Sequence, residues 1–423
     1  MTAAAVISAH VPLDERSVHG IYRRLDTFVT ALARKATEIH VLALTPRSAK
    51  IPEDHAALEQ RLGHRWGCNV TLQIASTLQL DTTPPSRWEM YVRGALDGTR
   101  SAVLRSSANL PTLEAVRGFL RVEPDIVFAH RIAAMSAVRA AGAIASRVYF
   151  DLDDIEHIAL ARRVWNSPSW PAERLKLIQV PALAVAERRA IRAATMTFVC
   201  SGSDARYLRR FASTKAVAVV PNAVTLPAAA APNPNTKTVL FLGAFGYAPN
   251  AVAADYLVTE IWPRVRAELP DARLIIAGGN PELLKSRGTT DHSVEFPGFV
   301  PDLADLYAQT DVVCCPILSG GGTRVKIVEA AAYGKPVVST PLGAEGLDFH
   351  RDTEILLEAD AGALASACVR LLKDPALAAR IGEAARARAA RLYDASAIIN
   401  SLATLFERPE RTASAIQRVA DFN

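Results

Sequence analysis

Ser319-Gly-Gly-Gly-Thr-Arg-Val-Lys-Ile-Val-Glu329 is the stretch that decides how this chain folds and what it binds. An apolar run, Asp311–Pro316, precedes it, and the alanines 330–332 follow. A buried strand therefore ends, three glycines intervene, and a helix begins. Glycine lets the backbone approach a ligand closely and aim its N–H groups at it. The helix N-terminus adds the positive end of its dipole. Ordinary helices place acids in this first turn, whereas this one places Arg324 and Lys326. Those charges oppose the dipole unless an anion sits among them, and a diphosphate supplies one. Glu329 lies further along, between Ile327, Val328 and the alanines. A carboxylate in so apolar a setting needs partners, and the two hydroxyls of a ribose suit it. The competing reading is a solvated helix face with Glu329 paired to Lys326, which leaves the glycines without a purpose.

The pattern around this stretch is regular. Strands are expected at Thr238–Gly243, Arg273–Ala277, Val294–Phe296, Asp311–Pro316 and Pro336–Thr340. Helices are expected at Asn250–Glu268, Pro281–Lys285, Asp302–Ala308 and Gly322–Tyr333. Such alternation means a doubly wound parallel sheet, in which ligands sit beyond the carboxyl ends of the strands. Leu226–Thr236, with three prolines, is the expected linker between two domains, 1–225 and 237–394. The first half repeats the logic with strands at Ala4–Ser8, Ile39–Leu44, Asp125–Ala129, Val148–Leu152 and Met196–Cys200. Its helices are expected at Ile21–Ala36 and Ala172–Ala194, while Arg61–Arg121, with Trp66, Trp88 and Tyr91, is hard to assign, irregular loops being one reading. Residues 395–423 are expected to cross back to the first domain.

At 423 residues with half of them hydrophobic, the chain can fill two cores. It has no apolar run of the roughly 20 residues that a spanning helix needs. Met1–Ala9 lacks a basic segment and reads as a first strand rather than a signal peptide. Five cysteines without a CxxC spacing read as reduced structural thiols, with no zinc site. Residues 1–225 hold 29 Lys+Arg against 20 Asp+Glu, and residues 226–423 hold 19 against 23. A basic half beside an acidic one suits an anionic partner for the first half, or else solvated helix faces. Both readings stay open.

The segment Gly322 to Pro336, with Val337-Val338 after it, resembles the donor site of the GT-B-fold glycosyltransferases of family 4 (group 1). The resemblance covers nearly all of 237–395 and is weaker over 1–225. Leu242 to Asn250 resembles the first loop of that family's donor domain, and Gly343-Ala-Glu-Gly-Leu347 a loop near the donor sugar. The resemblance implies two Rossmann-like domains facing across a cleft. It also implies retaining, hexosyltransferase-like chemistry with a nucleotide-sugar as co-substrate and no metal or other cofactor. Donor contacts would fall on Gly243, Asn250, Gly321, Gly322, Thr323, Arg324, Lys326 and Glu329. The family usually carries a glutamate eight positions before Glu329, where this chain has Gly321. That departure bears on contact with the donor sugar.

In the first half, His130 ends the strand Asp125-Ile-Val-Phe-Ala-His130. It matches the place of a functional histidine in the family, and a satisfied core histidine is the alternative. Asp151-Leu-Asp153-Asp154-Ile-Glu156-His157 has three readings: a metal site, contacts to acceptor hydroxyls, and a helix cap at Asp153 or Asp154. A donor site already placed in the other half speaks against the metal. Gly20, ahead of Ile21-Tyr22-Arg23-Arg24, resembles a loop that faces the diphosphate, or is an ordinary turn. The expectation is a bacterial, cytoplasmic enzyme, peripheral at the inner face of the membrane. It would transfer a sugar to a glycan or lipid-linked acceptor in surface polysaccharide synthesis and bind no nucleic acid. A nucleotide-sugar epimerase and a silent donor-binding subunit are the rivals.

Overall fold

A computed structural model describes residues 2–10, 20–45, 54–76, 87–98, 104, 109–142, 147–165, 174–231 and 234–407. The chain divides into two compact units, residues 1–221 with 397–423, and residues 222–396.

The first unit carries seven parallel strands: β1 (Ala3–Ser8), β2 (Glu38–Thr45), β3 (Asn69–Ser76), β4 (Ile126–His130), β5 (Arg147–Asp153), β6 (Met196–Val199) and β7 (Val217–Val219). Their order is β3-β2-β1-β4-β5-β6-β7, so the winding reverses between β1 and β4. Alternate residues feed two apolar faces. Ala5, Ile7, Val127 and Ala129 pack on one side, and Ala4, Val6, Ile126 and Phe128 on the other. Both faces must then be covered, which is why the strands read as continuous apolar runs. The helix Ala395–Glu407 covers part of the second face, where Leu402 and Phe406 are buried.

The second unit carries six parallel strands: β8 (Thr238–Leu242), β9 (Arg273–Ala277), β10 (Val294–Gly298), β11 (Val312–Cys315), β12 (Val337–Ser339) and β13 (Leu356–Leu357). Their order is β10-β9-β8-β11-β12-β13, and the reversal lies between β8 and β11.

Several expectations need correction. The division falls at Pro221/Asn222, ahead of the proposed linker. The described residues of that linker are tied to the second unit: the Asp311 carboxylate accepts from the N–H groups of Asn235 and Thr236, at 2.8 and 3.0 Å. The described part of Arg61–Arg121 holds the end of a helix (His55–Trp66), β3, and the helices Arg87–Leu96 and Leu110–Phe119. The helix expected over Asn250–Glu268 is Ala248–Tyr256, a π turn at Leu257–Ile261, and Trp262–Glu268. Pro263 has no N–H to give the preceding turn, and the wider turn absorbs the loss. Pro281–Lys285 is two 3₁₀ turns, Pro281–Leu283 and Lys285–Gly288.

Two glycines let β8 and β9 end side by side. Gly278 has φ 147°, and a Cβ there would lie 1.6 Å from the carbonyl oxygen of Gly243. Gly278→Ala is therefore expected to cost the second unit about 3 kcal/mol or more in urea denaturation. A loss below about 1 kcal/mol would show that the two strand ends can part without penalty.

Candidate functional site

In the second unit, the loop after β8 and the loop after β11 flank the reversal in strand order, where an open parallel sheet leaves a crevice. The helix after β11 is Val325–Ala332. Its N-cap, Arg324, is extended (φ −89°, ψ 94°), no side chain caps it, and its first turn holds no acid. Its leading N–H groups are thus left for something other than a capping side chain. Gly320 and Gly322 take φ of 105° and 72° and turn the loop back toward the helix. A Cβ on Gly320 would meet the Tyr247 hydroxyl at 2.8 Å.

The two basic residues divide the work. Arg324 is buried, and its guanidinium turns onto its own loop, donating to the carbonyl oxygens of Gly321 and Gly322. It fixes the glycine turn. Lys326 points elsewhere: its Nζ donates to Asn250 Oδ1 at 2.8 Å and lies 4.3 Å from the centre of the Phe241 ring. Asn250 in turn donates through Nδ2 to the Ala244 carbonyl at 3.0 Å. A Cβ on Gly243 would stand 3.1 Å from the Asn250 side chain. Lys326 thus joins the helix after β11 to the loop after β8. Desolvation pulls its ammonium down to about 8 from the usual lysine value, against the opposite pull of Cys315 and Glu329. Thr323 accepts from the Asn222 side-chain amide at 2.7 Å. Glu329 is half-buried on the same helix. Gly243, Asn250, Gly321, Gly322, Thr323, Arg324, Lys326 and Glu329 all lie on the two segments that follow β8 and β11.

The loop after β12 is locked against the same strand ends. Ser339 Oγ donates to the Cys315 carbonyl at 2.9 Å, and Gly343 N–H donates to Thr340 Oγ1 at 2.9 Å. Gly343 has no room for a side chain there, since a Cβ would meet Ser339 Oγ at 2.3 Å.

In the first unit, the polar residues also gather at strand ends beside the reversal. Ser8, His130 and Asp151 are register partners across β1, β4 and β5, and all three are wholly buried. Arg24, from the helix Gly20–Ala33, grips Asp151 through Nε at 2.9 Å and Nη2 at 2.6 Å. Its Nη1 donates to the Val220 carbonyl at 2.7 Å. Burial pushes the Asp151 carboxyl up to about 6 against the pull of Arg24, so it is still ionised at neutral pH. Asp153 lies 3.5 Å from Arg24 and 3.8 Å from Arg131, and accepts from the Cys200 thiol at 3.1 Å. Against the desolvation of burial, Arg131 and Arg24 hold its carboxyl below the ordinary range. Arg131 and Asp153 both adopt positive φ, 68° and 60°. Left-handed backbone in such residues is costly and collects at functional sites.

The carboxylates of this stretch are thus paired with arginines. The first N–H groups of the next helix, Glu156–Trp165, are met by the fully buried Glu187, which accepts from Glu156 (2.8 Å) and His157 (3.5 Å). The same carboxylate bonds His157 Nδ1, while His157 Nε2 meets the Tyr207 hydroxyl at 2.7 Å. His157 therefore braces three helices. Gly20 is the first residue of its helix rather than part of a described loop, and residues 11–19 lie outside the described set. Ser8, Arg131 and Glu187 escaped sequence reasoning. Ser8 is an ordinary strand-end serine until the register with β4 is known.

Residues 236–374 match the family described as Glycosyl transferases group 1. The phosphatidyl-myo-inositol mannosyltransferase of Mycobacterium leprae is 34% identical over 189 residues, 43% of this chain and 49% of that protein. The chain spans about half the length of the curated relatives it matches. Sucrose-phosphate synthase from Thermosynechococcus elongatus superposes with a TM-score of 0.69 at 18% identity, over 96% of this chain and 98% of that one. HepE of Anabaena in complex with UDP and glucose does so with 0.64 at 17%, over 96% and 100%. The fold is that of the GT-B glycosyltransferases. The similarity to the group 1 glycosyl transferases thus lies in the second unit, over residues 236–374.

Because Lys326 titrates near 8, its charged form is lost as pH rises through that value. If that ammonium holds a diphosphate, the affinity for UDP falls up to about tenfold between pH 7 and pH 9 in calorimetric titration. Lys326→Arg keeps the charge and should flatten the profile. An equal fall in that variant would put the titrating group elsewhere.

Proposed function

We propose that this chain is a retaining, metal-independent glycosyltransferase that takes a hexosyl group from a nucleotide-sugar held on the second unit. The observation that carries this reading is the uncapped helix start at Arg324, behind a glycine turn and beside a desolvated lysine. Such a site suits a bound diphosphate. The bond between the anomeric carbon and the diphosphate breaks, and the departing oxygen gathers charge. Lys326 and the leading N–H groups of the helix are aimed to meet that charge. The acceptor hydroxyl then bonds to the anomeric carbon from the face the diphosphate leaves, and its proton passes to the leaving phosphate. Arg324 serves by fixing the turn that aims those N–H groups.

We assign acceptor recognition to the first unit, with His130 as the group that hydrogen-bonds the reacting sugar. The acceptor is read as a glycan or lipid-linked glycan of a surface polysaccharide. Support comes from the curated relatives, whose name joins a mannosyl group to an inositol phospholipid. The basic first half supports attachment at the inner face of a membrane, and no described helix is long and apolar enough to cross one.

The purified chain should release nucleoside diphosphate from one sugar donor of a panel, dependent on membrane extract and indifferent to chelator. Lys326→Ala should slow that release by about 10²-fold or more. Donor consumed with the sugar still on its nucleotide would mean an epimerase. Binding of UDP without release from any donor would mean a silent subunit.

A further inference from the structure

The polar row at the ends of β1, β4 and β5 contains a histidine whose protonation pattern can be worked out from its neighbours. His130 is wholly buried, and burial holds its imidazole far below the ordinary histidine value, with His10, Arg131 and Arg24 adding to the effect. The ring is therefore neutral and carries one proton, on Nδ1 or on Nε2.

Ser8 Oγ lies 2.9 Å from His130 Nδ1 and accepts the His10 N–H at 2.9 Å. The hydroxyl has one proton to give. Among the described residues, His130 Nδ1 is the acceptor within reach of it. Were Nδ1 protonated, Ser8 would receive two hydrogen bonds and its own buried proton would have no acceptor, a costly arrangement. The other nitrogen decides independently. His130 Nε2 is 3.7 Å from Asp151 Oδ2. A bare lone pair there would face a carboxylate, whereas an N–H is attracted to it. Ser8 at one nitrogen and Asp151 near the other thus favour the same form.

We infer that Ser8 is a positioning residue that fixes His130 as the Nε2–H tautomer, making Nε2 the one hydrogen-bond donor this buried ring can offer an incoming oxygen. Among the described residues Nε2 has no hydrogen-bond partner, and its distance from Asp151 is too long to be one. Arg24 occupies both oxygens of Asp151, which keeps that carboxylate from drawing Nε2–H into a bond of its own. A donor is thus held ready, fitted to a sugar hydroxyl or ring oxygen. Its catalytic meaning rests on the transfer reading above, while the tautomer itself does not.

The test is two-bond proton–nitrogen correlation NMR on the full chain labelled with ¹⁵N-histidine, at neutral pH and without ligand. The His130 signals are identified by their loss in His130→Gln, or in His130→Asn if that variant folds better. Wild type should show a neutral ring protonated at Nε2. Ser8→Ala should shift the tautomer ratio toward Nδ1–H about fivefold, the effect of losing one hydrogen bond. Ser8→Thr, which keeps the hydroxyl, should retain the wild-type pattern. A wild-type ring protonated at Nδ1, or charged, would overturn the inference. So would a Ser8→Ala ratio equal to wild type. No turnover enters this readout, so failure of the transfer reading would show in donor release and leave these spectra unchanged.

Discussion

The second unit depends on a helix that starts without a cap. Val325–Ala332 has neither a capping side chain nor an acid in its first turn, and its neighbours are cationic. A protein maintains such an arrangement only if other contacts hold it. Here Arg324 closes the glycine turn through backbone carbonyls, and Lys326 is fixed by Asn250 and Phe241. Gly243 leaves space for Asn250, and Gly278 leaves space for Gly243. Each contact holds the strand ends and the glycine turn together at the start of a helix that no side chain caps. The strain is local and is carried by residues that would otherwise have no reason to be glycine or buried base.

The first unit concentrates its polar groups at the matching topological position, with different chemistry. Arg24, Asp151 and Asp153 are buried together beside a neutral histidine, and the half-buried Arg131 joins them. Burying either partner of such a pair alone costs several kcal/mol, so the charges are kept as a set. The left-handed backbone at Arg131 and Asp153 is what turns their side chains into that set. This is a rigid frame around His130 rather than a mobile charge.

Much of this was legible in the sequence. The glycine turn, the cationic first turn of the helix and the alternating apolar runs are local signals, and they placed the second sheet and the segments around its crevice. Arg324 shows what local reading leaves out: its guanidinium also meets the carbonyls of its own loop, which only the folded turn brings within reach. The same holds for Ser8, whose role depends on the register between β1 and β4. Glu187 meets the first N–H groups of a helix that starts about thirty residues before it, a pairing that no local signal shows. The missed strand β3 carries Asn69 and Gln73, which blunt the apolar pattern of an edge strand.

The central claim is that the crevice of the second unit, between the segments after β8 and β11, holds a nucleoside diphosphate. Hydrogen–deuterium exchange with and without saturating UDP tests it most directly. Peptides covering 243–250 and 319–328 should exchange at least about fivefold more slowly with the nucleotide bound. Binding that leaves both segments unprotected, with slowing confined to other parts of the chain, would contradict it.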